Sequence, residues 1–198
     1  MRSVLLASSL MLLLVSAAPA SAATITFNNL TTAGNFGSYA EAGFSVTPTS
    51  GSWITSTTFG HPAPFIEFLG AIGAPTITAD VSVTRGGSPF LFNAVDLYSS
   101  ITPIPYVFTG LRNATVVFTQ SGTVPNTFGN FATVATASTL PIDTLLISLS
   151  NPATGVVCCG PNPVGLDNIV VNAVPEPGMA FLLGVGLTAR RGWRRRAR

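Results

Sequence analysis

An all-β fold, an antiparallel β-sandwich of jelly-roll type, is what the sequence predicts for its central region. Three observations carry that prediction. Thr76-Ile-Thr-Ala-Asp-Val-Ser-Val-Thr84 alternates strictly. Ile77, Ala79, Val81 and Val83 fall on one side and Thr78, Asp80, Ser82 and Thr84 on the other, the two-residue period of a half-buried strand. Many further short segments are rich in β-branched and aromatic residues, each bounded by Gly, Pro, Asn or Ser. No segment of this region repeats its apolar residues at helical spacing.

Taken in order, residues 1–22 read as a signal-peptide helix. Arg2 supplies the positive start, Val4–Val15 the apolar stretch, and Ala20-Ser21-Ala22 a small-residue cleavage site, with the cut after Ala22. The β-sandwich domain is expected over 23–173. Its strands are expected at Thr24–Asn28, Gly43–Thr47, Ser52–Thr57, Phe65–Leu69, Thr76–Thr84 and Phe90–Leu97, then at Tyr106–Thr109, Ala114–Thr119, Asn130–Ala135, Asp143–Ser150 and Leu166–Asn172. Arg85-Gly-Gly-Ser88 and Gly110-Leu-Arg-Asn113 read as hairpin turns. Short strands at this spacing favour a sandwich. No fixed internal period points to a propeller or β-helix.

Charge is distributed unevenly. Arg2 and six C-terminal arginines supply seven of the nine basic residues, and there is no lysine. Between Ala23 and Pro177 only Arg85 and Arg112 stand against seven acids, a net charge of −5. A region so poor in cations offers no footprint for nucleic acid. About 150 residues are enough for one domain with a substantial core.

The last segment, 174–198, has three parts in order: Pro175-Glu176-Pro177, an uncharged stretch over 178–189, and a tail with Arg190, Arg191 and four more arginines. The prolines hold the chain extended. The apolar stretch is 12 residues, about 18 Å as a helix where a bilayer asks for about 20 residues. Arginines mark the side that stays cytoplasmic. This triplet resembles the PEP-CTERM sorting signal of exported proteins of Gram-negative bacteria. The resemblance implies an exosortase-type membrane protease as partner, transient anchoring of a short helix in the inner membrane, and release to the cell surface or extracellular matrix.

A second resemblance lies in Phe92-Asn-Ala-Val-Asp-Leu97, Tyr106-Val-Phe-Thr-Gly110, Ile142-Asp-Thr-Leu-Leu-Ile147 and Gly165-Leu-Asp-Asn-Ile-Val-Val171. These segments look like the body of many PEP-CTERM proteins, which is similar to carbohydrate-binding-module-type jelly rolls. That resemblance makes Asp167 a candidate ligand for a structural calcium ion, with Glu41 and Asn28 as helpers. Calcium takes six to eight oxygens. The other reading open for Asp167 is that it orders the turn into the last strand. No other cofactor is implied.

Signatures of known catalytic chemistries are missing. His61, in Gly60-His-Pro-Ala-Pro64, is the one histidine, and Cys158 and Cys159 are adjacent rather than spaced for redox or zinc chemistry. A vicinal disulfide, intermolecular bridges and free thiols are all open for that pair. No nucleophile elbow, zinc-protease motif or phosphate loop occurs. Thr-x-Thr pairs such as Thr24/Thr26 and Thr47/Thr49 recur too irregularly for an ice-matching array. Aromatic residues with polar handles remain: Trp53, in the polar stretch Ser50–Thr58, with Tyr98 and Tyr106, are the candidate carbohydrate contacts, since flat exposed rings stack on sugar faces.

The expectation from sequence is therefore an exported, non-catalytic surface or matrix protein, associated with exopolysaccharide and able to bind carbohydrate. A secreted hydrolase of weak signature and a purely structural surface protein are the alternatives. Two carboxylates converging in a deep cleft would mark the hydrolase, and two or more aromatics exposed on one concave face would mark the binder.

Overall fold

The computed structural model describes residues 22–58, 60–69, 75–152 and 162–174. Along these the chain forms thirteen strands: β1 (Ala22–Ile25), β2 (Gly34–Asn35), β3 (Tyr39–Glu41), β4 (Phe44–Ser50), β5 (Trp53–Ser56), β6 (Phe65–Leu69), β7 (Ile77–Thr84), β8 (Phe90–Ser99), β9 (Ile104–Arg112), β10 (Thr115–Val124), β11 (Ala132–Ala135), β12 (Thr144–Asn151) and β13 (Pro163–Ala173). No helix occurs among the described residues, and none there is long and apolar enough to cross a membrane. The signal-peptide residues up to Ser21, including Ala20, lie outside the described residues. So do Cys158, Cys159, Pro175, Glu176, Pro177, Arg190 and Arg191.

Two antiparallel sheets make a sandwich. The first runs β11-β8-β13-β6-β5-β2, with β1 also on β13, and the second runs β10-β9-β12-β7-β4-β3. Most connections switch sheets, as in a jelly roll; the exceptions are the β1–β2 connection and the hairpins β3–β4, β5–β6 and β9–β10. Strand alternation fills the space between the sheets. Ala79, Val81 and Val83 of β7 and Leu145, Ile147 and Leu149 of β12 are fully buried, while the residues between them are half-buried. Edge-to-face pairs join the layers: Phe92 of β8 meets Phe108 of β9 at 5.3 Å, and Phe44 of β4 meets Phe90 of β8 at 5.3 Å. Such contacts add about 0.5–1.5 kcal/mol each beyond area burial.

β13 is the central strand of the first sheet. Along one edge it pairs with β8, and along the other it pairs first with β6 (Pro163–Leu166) and then with β1 (Ile169–Asn172). Between the two partners the register shifts, and Asn168 takes a left-handed φ of 46°. That bulge changes the phase of the strand. Leu166 and Ile169, an odd number of residues apart, both face the core, which a regular strand forbids. Ala22 begins β1 opposite Asn172, and a cut after Ala22 leaves the pairs of Ala23, Thr24 and Ile25 in place.

Both turn expectations need correction. Arg85–Ser88 does form a β-turn, with the Ser88 amide donating to the Arg85 carbonyl at 3.0 Å. It joins β7 to β8, which belong to different sheets, so it is a corner and no hairpin. The β9–β10 hairpin turns at Asn113 and Ala114, with φ of 50° and 61°, the left-handed pair of a two-residue turn. Gly110 lies within β9 because Phe118 covers it: a Cβ there would fall 2.1 Å from Phe118 Cε1. The short edge strands β2 and β3 were not foreseen, since two or three residues carry no periodicity.

Gly165 marks the closest approach of β13 to β6. A Cβ there would sit 2.5 Å from the Ile66 carbonyl oxygen and 2.9 Å from Glu67 Cβ. Backbone cannot yield as a side chain does, so Gly165→Ala is expected to cost about 1–3 kcal/mol. A denaturant midpoint equal to that of the wild type would contradict this packing.

Candidate functional site

At one end, the outer face of the first sheet is not a solvated surface. Phe65, Glu67, Tyr98 and Asp167 point away from the core, yet all are buried. Phe65, Tyr98 and Phe131 form a small aromatic cluster, with ring centroids 5.2 to 5.4 Å apart. The loops after β5 and before β11 meet at this end of the sheet. The His61 amide donates to the Gly129 carbonyl at 3.1 Å, and His61 bridges to Asn130. The second loop is fixed to the end of β8 by Ser99, whose carbonyl accepts from the Thr127 amide at 2.9 Å, the Phe128 amide at 3.1 Å and the Thr127 hydroxyl at 3.1 Å. Behind Ser99, a buried polar network joins its hydroxyl to Asn162, which also bonds Thr102 and Asn151. Every member of that network is partnered, which is what makes it tolerable inside a sandwich.

Between the two loops lies a cleft of about 270 Å³, lined among the described residues by Thr58, His61, Tyr98, Ser100, Phe128 and Gly129. Tyr98 is 2% exposed, but its hydroxyl reaches the floor, 2.7 Å from Ser100 Oγ. Phe128 is 78% exposed and holds a left-handed φ of 42°. A bulky residue rarely adopts that conformation, and strain of this kind persists only where the surroundings enforce it. Here the enforcing bonds are those to the Ser99 carbonyl. The result is one exposed aromatic ring beside several hydroxyls and an imidazole, groups of the kind that can stack on an apolar ring face and hydrogen-bond its rim.

The aromatic candidates from sequence are placed differently from expectation. Trp53 is 2% exposed, edge-on to Phe68 at 5.1 Å, and its indole N–H donates to the Ser50 carbonyl at 3.0 Å. Its ring is core and offers no face to a ligand, because position 53 falls on the inward side of β5. Tyr106 is half-buried, stacked on Phe108 at 4.6 Å, and Gly122 lies against its hydroxyl end. Of the three, Tyr98 alone reaches the cleft, and it does so with its hydroxyl. Phe128 was missed because Asn126-Thr-Phe-Gly-Asn130 reads as loop, where an aromatic carries no periodic signal. The usable signal was a large ring inside turn chemistry.

Asp167 is 1% exposed, beside the Asn168 bulge and opposite Asp96 on β8. It accepts from the Asn168 backbone amide, and its Oδ1 has no partner. The calcium expectation does not fit the side chains present. Glu41 gives both oxygens to Thr26, at 2.6 and 3.0 Å, and Asp96 bonds Thr133 and Asn168, at 2.5 and 2.9 Å. Among the described residues no group of three or more acidic, histidine or cysteine side chains could hold a metal ion. Asn28 is exposed and bonds none of these acids.

No family model matches this chain, and no curated protein matches it. Solved structures do show similarity. A mutant of the family 29 carbohydrate-binding module CBM29-2, complexed with mannohexaose, is 12% identical over 78% of this chain and 93% of its own, with a TM-score of 0.44. CBM29_1 from Piromyces equi is 11% identical over 79% and 93%, also with a TM-score of 0.44. An isomalto-dextranase of Arthrobacter globiformis T6, complexed with panose, is 14% identical over 79% of this chain and 33% of its own, with a TM-score of 0.34. Likeness at this level carries no argument about ligands. The sandwich itself rests on the strand pairing above.

Burial holds the Glu67 carboxyl up to about 7 against its bond to Ser56, and burial with the Asp96 and Glu41 charges nearby holds Asp167 up to about 7 against the Asn168 bond. Unfolded carboxyls titrate near 4. The folded chain therefore binds more protons than the unfolded one between about pH 4 and 7, and stability falls as pH rises across that window. The melting temperature is expected to drop by about 5 °C or more from pH 5 to pH 8. Glu67→Gln and Asp167→Asn should each flatten that slope. A melting temperature that is constant or rises over this range would show that neither carboxyl is neutral when folded.

Proposed function

We propose that this protein is an exported, non-catalytic carbohydrate-binding β-sandwich of the cell surface or extracellular matrix. The observation that carries the reading is the cleft at the loop end of the first sheet. There Phe128 stands exposed on a backbone held by Ser99, beside the hydroxyls of Tyr98, Ser100 and Thr58. The lining favours binding over hydrolysis. Glu67 and Asp167, whose carboxyls are held near 7, are buried and do not line it, and no carboxylate among its described residues stands beside His61. Exopolysaccharide is the partner that suits such a lining in an exported protein.

Export and sorting rest on the sequence. The Ala20-Ser21-Ala22 site, the Pro175-Glu176-Pro177 motif, the apolar 178–189 and the arginines from Arg190 support passage across the inner membrane, brief anchoring there and processing by an exosortase-type protease.

Two experiments test the two halves. In affinity electrophoresis through gels of neutral glucan, mannan or galactan, the protein should be retarded. Phe128→Ala should weaken that binding about tenfold or more, the loss typical of a central aromatic contact. Unretarded migration in every gel would refute the binding reading. In cells, replacing Pro175, Glu176 and Pro177 with alanine should leave full-length protein in the inner-membrane fraction. Trimming and release like the wild type would refute the sorting reading.

A further inference from the structure

We infer that the cleft recognises a single neutral sugar residue, at a chain end or side branch, rather than a run of residues along a polysaccharide. This rests on the carbohydrate-binding reading above and narrows it. Three observations carry it.

The first is the number of stacking platforms. A site that tracks a chain needs an aromatic ring for each of several successive sugars, as single-stranded nucleic acid sites need one for successive bases. Among the described residues Phe128 is the one large aromatic side chain that is exposed, and the other exposed large apolar residues, Leu69, Ile101, Val107, Val116 and Leu140, are aliphatic. The rings that could have extended the platform, Phe65, Tyr98 and Phe131, face one another in the cluster beneath.

The second is size and shape. At about 270 Å³ the cleft falls just below the range of pockets that enclose drug-sized ligands. Its two sides are the loops that carry His61 and Phe128, joined by the bond from the His61 amide to Gly129.

The third is charge. The described lining contains hydroxyls, backbone, one imidazole and the side chains of Tyr98 and Phe128, with no carboxylate, lysine or arginine. A sugar carboxylate, sulfate or phosphate would lose its hydration without a fixed cation to replace it, whereas neutral hydroxyl groups exchange water for hydroxyl partners at little cost.

Titration calorimetry of the wild-type chain at pH 8 tests this, using methyl glycosides of glucose, mannose and galactose and their linear di-, tetra- and hexasaccharides. For the sugar that binds, the dissociation constant is expected to change less than about threefold from disaccharide to hexasaccharide, and Phe128→Ala should weaken all lengths alike. Affinity that rises tenfold or more with length would overturn the inference while leaving carbohydrate binding intact. Glucuronate that binds tenfold more tightly than glucose would overturn the neutral class. Binding that Phe128→Ala leaves unchanged would place the site elsewhere. Absence of binding by every member of the series, together with free migration through every gel, would refute the broader reading as well.

Discussion

The pairing of β13 is the constraint on which the rest of the structure depends. A central strand has two edges to satisfy, and β13 satisfies one of them with two partners in succession, β6 and then β1. The hand-over needs a break in the ladder, and Asp167-Asn168 supplies it as a bulge with Asn168 in the left-handed region. Asparagine tolerates that conformation better than most residues. Because the bulge shifts the phase of the strand, Val164 and Leu166 before it and Ile169 and Val171 after it all reach the same core. Without the shift, half of the strand would turn its apolar residues outward.

The same arrangement explains why two carboxyls are buried on the outer face. Asp167 follows the inward-facing Leu166 and must point away from the core, and Glu67 alternates with Ile66 and Phe68 in the same way. On a plain sandwich both would be solvated. Here the aromatic cluster and the loops pinned to Ser99 add a third layer over that end of the sheet. Removing an ionised carboxylate from water costs more than holding it neutral, so burial raises both carboxyls to about 7.

Much of the architecture was legible in the sequence, and the reasons are local. β7 showed its inward and outward sides in Ile77–Thr84 because one face is core and the other solvent. β6 and β12 were equally plain. Strand pairing was not legible: Arg85-Gly-Gly-Ser88 has hairpin chemistry, yet which sheet receives β8 is decided by packing across the sandwich. Gly110 looked like a turn residue, and only the Phe118 ring above it shows otherwise. The site was the least legible part. Trp53 stood in a polar stretch, but alternation places it inward, opposite Phe68. Phe128 gained its meaning from bonds to Ser99, 29 positions earlier in the chain, and such a distant partner leaves no trace in local composition.

The pairing of β13 also gives the sandwich a front and a back. Tyr98, on the cleft floor, lies opposite Gly165 near the start of β13, while Ala22 lies opposite Asn172 near its end. Eight residue steps along the strand lead from Gly165 to Ala173, about 26 Å of extended chain. The polypeptide therefore enters at β1 and leaves at Val174 side by side, at the end remote from the cleft.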